Sequence, residues 1–240
     1  ANDTYTIAIF QVYISQFCAI NQVSGNNFMH TTQTRHLVLF TRYPEPGQVK
    51  TRLIPALGAV GAARLQRHMT EHILQIAQAF AATHGARLTV YFTGGLVNRM
   101  ERVFGAGFTY RPQASGDLGR RLFLAGAECL QSGYNQVVLI GSDCPGITGA
   151  ILEQAFLALA DHDLVLGPAH DGGYYLIGFK ALHPALFQGI AWGTGVVLEE
   201  TRRRAAESGL QVALLEPLSD IDRPEDLPVW GNICPQVRHE

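Results

Sequence analysis

Val137, Val138, Leu139 and Ile140 form an unbroken apolar run. The chain repeats that signature at His36–Phe40 (HLVLF), Arg87–Phe92 (RLTVYF) and Asp163–Gly167 (DLVLG). Short continuous apolar runs bounded by Gly, Pro or Asp read as strands buried on both faces, as in a parallel sheet. Phe108–Pro112 reads as a weaker strand, and the YYLIG stretch Tyr174–Gly178 and Gln211–Leu215 as further strands. Between them lies a different period. Over Ala59–Ala82 the apolar positions Ala62, Leu65, Met69, Ile73, Ile76 and Phe80 recur at spacings of three and four, the stripe of a helix packed on a sheet. Further helices are expected from Asp117 to about Gln131, over Thr148–Ala160 and over Val196–Glu207. Strands alternating with helices predict a single Rossmann-like three-layer α/β domain with a mostly parallel sheet, uninterrupted over 36–229.

The ends read differently. Residues 1–35 are expected to form an extension outside the core: Thr6–Tyr13 (TIAIFQVY) has strand character, but Asn21–Thr34 is aperiodic, and Met29 shortly precedes the first confident strand. No Lys or Arg precedes Arg35, so the basic start of a signal peptide is missing. A variant starting at Met29 is expected to fold. Residues 230–240 read as a tail. With 240 residues and 47% hydrophobic content the chain can bury a large core, and a net charge of -2 gives no general reason to expect nucleic acid. No apolar run approaches the ~20 residues that span a bilayer. Cys18, Cys129, Cys144 and Cys234 form no CxxC pair, which fits a reducing cytoplasm.

Candidate chemistry gathers where strands end. In QVVLIGSDCP, Gly141 closes the central strand and Ser142 and Asp143 follow at once. Ligands of open α/β sheets sit beyond the carboxyl ends of the strands, and a carboxylate there suits Mg²⁺ or Mn²⁺ carrying a phosphate. The alternative is that Asp143 caps the helix starting near Ile147; on either reading Asp143→Asn is expected to keep near-native stability. After the first strand, TRYPEPGQVKTRL holds Gly47 in a Pro-stiffened turn with Arg42, Lys50 and Arg52 around it. A Gly-containing basic loop suits phosphate oxygens, or is simply a solvated loop. It is neither a Walker loop nor GxGxxG.

Other positions are more ambiguous. Asp117 or Ser115 can cap the helix that follows, whose amino end offers free N–H groups. His170 and Asp171 lead through Gly172-Gly173 into YYLIG, either a ligand loop or a plain Asp-Gly hairpin. Asp220 and Asp222 alternate on one face of an extended segment and could reach a metal together, while Asp222 before Arg223-Pro224 also looks like a helix cap. His68–His72 spells HxxEH, the inverted zinc-protease pattern, but a solvated helix edge explains it without a third ligand. Arg202-Arg203-Arg204 reads as a solvated face.

Taken in order, TRYPEPGQVKTRL, QASGDLGRRL, VVLIGSDCPG, LGPAHDGGYYLIG, IAWGT and LSDIDRPEDL resemble the radical-SAM/selenodomain-associated transferases, also described as arsenosugar-biosynthesis glycosyltransferases. That family has the nucleotide-diphospho-sugar transferase (GT-A-like) fold. It is similar to 2-phospho-lactate guanylyltransferase and, more distantly, to the molybdenum-cofactor guanylyltransferase. The resemblance spans about residues 36–229.

It implies that Gly47, Lys50 and Arg52 belong to a phosphate-binding loop and that Gln113 and Asp117 lie near the base and ribose. Asp143 would be the principal metal ligand, in the place of a DxD-type motif, with Asp222 the second carboxylate and Asp220 close by. His170, Asp171 and Trp192 would face the acceptor, although IAWGT departs from the family's WST through Gly193. The implied activity is metal-dependent transfer from a nucleotide-sugar to a small-molecule acceptor, with Mg²⁺ or Mn²⁺ as cofactor and without nucleic acid or membrane insertion. The alternatives are nucleotidyl transfer with release of pyrophosphate, and nucleotide binding without turnover.

Overall fold

A computed structural model describes residues 34–234. The expected extension before Thr34, with its TIAIFQVY strand, the start at Met29 and Cys18, lies outside the described residues, as does the tail after Cys234. Seven strands, β1 (Arg35–Arg42), β2 (Arg87–Thr93), β3 (Thr109–Pro112), β4 (Gln136–Gly141), β5 (Leu164–Pro168), β6 (Tyr174–Phe179) and β7 (Val212–Leu214), form one sheet in the order β3-β2-β1-β4-β6-β5-β7. All neighbours are parallel except at β6, which runs antiparallel to β4 and β5. The exception has a local cause. The link Ala169–Gly173 is too short for a crossover and closes as a hairpin, with Gly172 at φ 87° and Ala169 N–H donating to the Gly173 carbonyl.

Among the described residues six helices accompany the sheet: α1 (Ile54–His84), α2 (Val97–Phe104), α3 (Leu118–Gln131), α4 (Gly149–Asp161), α5 (Val197–Glu207) and α6 (Leu227–Ile233). Gly58, at φ 70° and ψ 166°, breaks α1 after its first turn, so the regular helix begins at Ala59 as the stripe predicts. Alternate strand residues serve opposite layers. Leu37, Leu39, Val90, Phe92, Val138 and Ile140 are buried in one cluster with Ile73, Leu74, Ala77 and Phe80 of α1 and Ile151, Ala155 and Phe156 of α4. Elsewhere, α3 presses Gly126 onto the Phe179 ring, where a Cβ would come within 2.5 Å. Phe187 meets Phe123 and Phe179 edge-on at 5.8 and 6.0 Å.

One element was not expected: at eight residues α2 is too short to show a period. The helix that a cap at Asp222 implied begins only at Leu227, as α6, and carries the domain past the expected boundary at 229. Trp230 of α6 is buried in a cluster with Leu53, Met69 and Ile221, so part of the expected tail belongs to the core.

The strand order reverses at β1 and β4: β2 and β3 lie to one side of β1, and β6, β5 and β7 lie beyond β4. In open α/β sheets the crevice beyond the strand ends at such a point is where ligands bind. Here Arg42 and Gly141 end β1 and β4 beside it.

Candidate active site

Beyond those strand ends lies a cleft of about 520 Å³. Its wall brings together Arg42 at the end of β1, Lys50 and Arg52 from the segment that follows, Gln113 after β3, Asp143 after β4, Asp171 in the β5–β6 hairpin, Trp192, and Asp220 and Asp222 after β7. Nine of the twelve expected site residues therefore meet. The other three are placed elsewhere. Gly47 stands at φ 79° with open space around it, serving the turn. Asp117 is the N-cap of α3, its Oδ1 accepting from Arg120 N at 2.8 Å. His170 is exposed, with its N–H bound to the Leu218 carbonyl.

The loop cations are already paired. Lys50 Nζ lies 2.9 Å from Asp143 Oδ1 and donates to the Ile221 carbonyl at 2.6 Å. Its side chain is 4% exposed, against 53% for that of Asp143. Ile221 N–H returns a bond to the Asp143 carbonyl at 2.9 Å. One ammonium thus ties the ends of three loops. Arg52 pairs with Asp222, and Arg42 donates to Thr93 Oγ1 and the Gln48 carbonyl.

Neither carboxylate caps a helix. Thr148 Oγ1 caps α4 by accepting from Ile151 N, and Asp226 Oδ2 accepts from the N–H groups of Asp222 and Arg223 at the short 3₁₀ turn Pro224–Asp226. Asp143 and Asp222 are left facing the cleft.

Sequence reading missed what lies beneath Asp143. Thr41 at the end of β1, Gln66 and Thr70 on α1 and Ser142 are all buried and share their polar atoms. Thr41 Oγ1 is 2.9 Å from Thr70 Oγ1 and 3.1 Å from Ser142 Oγ, and Gln66 Nε2 reaches Ser142 Oγ at 3.2 Å. Buried polar groups need such mutual satisfaction. The available signal was Gln66 and Thr70, a polar pair four residues apart beside the apolar stripe of α1.

Across the cleft the character changes. Asp171 Oδ1 accepts from Gly173 N, and Asp220 lies near enough that the like charge adds to burial in pushing its carboxyl up, while Lys50 pulls it back. Burial, together with Asp220 and Asp143, also holds the Cys144 thiol protonated, so this cleft cysteine is inert. Trp192 meets Tyr174 edge-on at 6.2 Å and packs over Gly119 of α3, where a Cβ would come within 2.5 Å of its Nε1. The turn before Trp192 is held by Arg204, which donates to the carbonyls of Ala185, Gln188 and Gly189. This corrects the solvated reading of that arginine. Gln113 Nε2 donates to the Tyr91 and Thr41 carbonyls, bracing the ends of β1 and β2.

The HxxEH motif has structural partners. Glu71 pairs with Arg67, and His72 Nε2 lies 3.0 Å from the Pro145 carbonyl in the loop that carries Asp143. His72 is thus a brace for that loop, not a solvated edge.

Among the described residues no group of three or more His, Cys, Asp or Glu side chains stands ready to hold a metal ion. The cleft carboxylates are nevertheless hard oxygen donors. Asp143 with Asp222 or Asp220 fits a Mg²⁺ or Mn²⁺ ion that arrives with phosphate oxygens, since Mg²⁺ takes one or two carboxylates and completes its shell from phosphate and water. No helix among the described residues is long and apolar enough to cross a membrane.

Fold and cleft together define a single α/β domain of the nucleotide-diphospho-sugar transferase type. A protein from Desulfovibrio desulfuricans G20, assigned provisionally as a nucleotide-diphospho-sugar transferase, is 33% identical over 86% of this chain and 90% of its own, with a TM-score of 0.78. The chain belongs to one family with that protein. The family model described as an uncharacterized protein conserved in bacteria (DUF2064) matches residues 76–194. The inositol-1-phosphate CTP transferase of T. maritima shares the fold at 14% identity, covering 87% of this chain and 98% of that one, with a TM-score of 0.53. Glucosyl-3-phosphoglycerate synthase from Mycobacterium tuberculosis, solved with Mn²⁺, UDP and glucosyl-3-phosphoglycerate, shares it at 14% identity, covering 89% and 84%, with a TM-score of 0.50. No curated protein matches the sequence.

Proposed function

We propose that the cleft binds a nucleotide-sugar together with Mg²⁺ or Mn²⁺ and transfers the sugar to a small-molecule acceptor, as the resemblance to the radical-SAM/selenodomain-associated transferases implies, and that it does so in the reducing cytoplasm that the scattered cysteines fit. One observation carries this reading: Arg42, Lys50 and Arg52 line one cleft together with Asp143 and Asp222, at the point where strand order reverses. Cations flanking carboxylates suit a ligand that carries both phosphate oxygens and a divalent ion.

The residues divide the work. Lys50 and Arg52 take phosphate oxygens, Arg42 stands beside them, and Gln113 shapes the wall where the base and ribose lie. Asp143 holds the cation, with Asp222 or Asp220 as the second carboxylate. A bound divalent ion would stabilise the negative charge gathering on the departing nucleoside diphosphate. Asp171, Trp192 and Tyr174 form the opposite wall, where the acceptor lies against the sugar. Asp117, Gly47 and His170 act only on the frame: a helix cap, a turn and a loop bond.

The three cations at and after the end of β1 also favour a second reading, a nucleotidyltransferase that holds a triphosphate and releases pyrophosphate. One experiment separates the two. The chain is incubated with Mn²⁺ and a panel of nucleotide-sugars and nucleoside triphosphates, and the released phosphate species is identified. A nucleoside diphosphate supports sugar transfer, and pyrophosphate replaces that reading with nucleotidyl transfer. Binding without either product leaves a nucleotide-binding protein, and no binding removes the proposal.

A further inference from the structure

Lys50 is the one non-glycine residue among the described residues with a left-handed backbone, at φ 46° and ψ 43°. An L side chain is crowded there, and glycine would sit without strain. Such strain persists where surrounding contacts over-determine the residue. The contacts are those of the ammonium, held between Asp143 Oδ1 and the Ile221 carbonyl and almost wholly out of water. Arg52, two residues on in the same loop, pairs with Asp222 at the exposed rim. Both carboxylates suited to a divalent ion are thus already matched by cations from one loop.

A divalent cation approaching Asp143 alone meets a positive charge fixed 2.9 Å from the carboxylate. Like charges so placed disfavour each other. A di- or triphosphate changes the balance by bringing negative oxygens to the ammonium. We infer that Lys50 reserves Asp143 for joint entry: the ammonium keeps a divalent cation from binding by itself, and a phosphate-bearing ligand draws the ammonium to its own oxygens and opens Asp143 to the cation. The inference rests on the phosphate-binding part of the proposed function and adds an order of events to it.

The test is Mn²⁺ binding to the full chain without nucleotide, followed by loss of the free-ion paramagnetic resonance signal. Wild type is expected to bind weakly, while Lys50→Met and Lys50→Gly bind at least about tenfold more tightly, a difference of about 1.4 kcal/mol. The gain is expected to vanish when Asp143→Asn is added. Lys50→Gly suits the left-handed backbone, so a folded variant is available even if Lys50→Met fails to fold. Inorganic pyrophosphate without metal is expected to bind wild type more tightly than either variant.

Unchanged or weaker Mn²⁺ binding in folded variants overturns the inference, as does a gain that survives Asp143→Asn or pyrophosphate binding indifferent to Lys50. The nucleotide panel separates this from the proposed function. A Mn²⁺ gain with no nucleotide bound leaves the hold of Lys50 on Asp143 and removes the transferase reading. Nucleotide binding with no Mn²⁺ gain does the reverse.

Discussion

Gln66 Nε2 stands 3.2 Å from Ser142 Oγ, so a side chain from α1 holds the hydroxyl beside Asp143. The same nitrogen reaches Thr70 Oγ1 at 3.3 Å, and Thr41 Oγ1 lies between Thr70 and Ser142. Gln66→Leu keeps the bulk and removes the donor to Ser142 and Thr70, while the Thr70 hydroxyl keeps its bond to the residue 66 main-chain carbonyl. It should cost about 1–3 kcal/mol, and Ser142→Ala about 1 kcal/mol. Because the two share a network, the double variant should lose less than the sum of the singles. Denaturant melts of the three variants check this, and strict additivity would show that the cluster is not coupled.

Asp143→Asn should cost stability, where the sequence implied near-native stability whether Asp143 binds metal or caps a helix. Lys50 is 4% exposed, and its ammonium would keep only a neutral amide and the Ile221 carbonyl as partners. Breaking a buried pair costs about 3–5 kcal/mol when a charge is stranded. Asp143 is half exposed, so about 1–3 kcal/mol is the expected loss after solvent screening. Lys50→Gly should recover part of it by removing the stranded charge and the backbone strain together. The check is a thermal melt of each single variant and the double. A double variant as unstable as the summed singles would show that the pair carries no coupling.

The sheet was legible because its central strands are buried on both faces and carry unbroken apolar runs, as at Val137–Ile140 and Leu37–Phe40. The mostly parallel course was legible too, but the reversed direction of β6 was not. The antiparallel run of β6 follows from the length and conformation of the link at Gly172, and the sequence left a hairpin and a ligand loop equally open there. Asp143 could be found because position alone delivers it to the cleft, one residue past Ser142 at a strand end. The hold of Lys50 on Asp143 could not, since it joins residues 93 positions apart and depends on a left-handed backbone. Arg204 and His72 were hidden for a related reason: their partners are main-chain carbonyls, which leave no mark in composition.

Gly119→Ala sets two effects against each other. Gly119 lies inside α3, where alanine is favoured over glycine by about 1 kcal/mol. Yet a Cβ there would meet the Phe187 carbonyl and come within 2.5 Å of Trp192 Nε1. Backbone on one side and a packed indole on the other leave little room to give, and overpacking costs about 1–3 kcal/mol or more. A net loss of stability is expected, with a shift in Trp192 fluorescence read in a Trp230→Phe background. A rise in melting temperature with the spectrum unchanged would show that the indole is free to move aside.

Outside the cleft, one buried histidine ties stability to pH. His36 on β1 is 6% exposed, its Nε2 lies 2.9 Å from Thr89 Oγ1, and its ring meets Tyr134 edge-on at 4.4 Å. Burial, with the charges of Arg87 and Arg111 added, lowers its pKa from 6.5 to about 4. Between those values the unfolded chain takes up a proton that the folded chain refuses. The contribution of His36 is therefore complete above pH 6.5 and is lost as the pH falls towards 4, by up to about 3 kcal/mol. His36→Gln removes the titrating group while keeping a polar atom for Thr89. Wild type should lose melting temperature steadily from pH 7 to pH 4.5, and the variant should lose distinctly less across that window, even if it starts lower at pH 7. Parallel curves for the two proteins would mean that His36 takes its proton in the folded state, and that the strand end opens to water more readily than its packing implies.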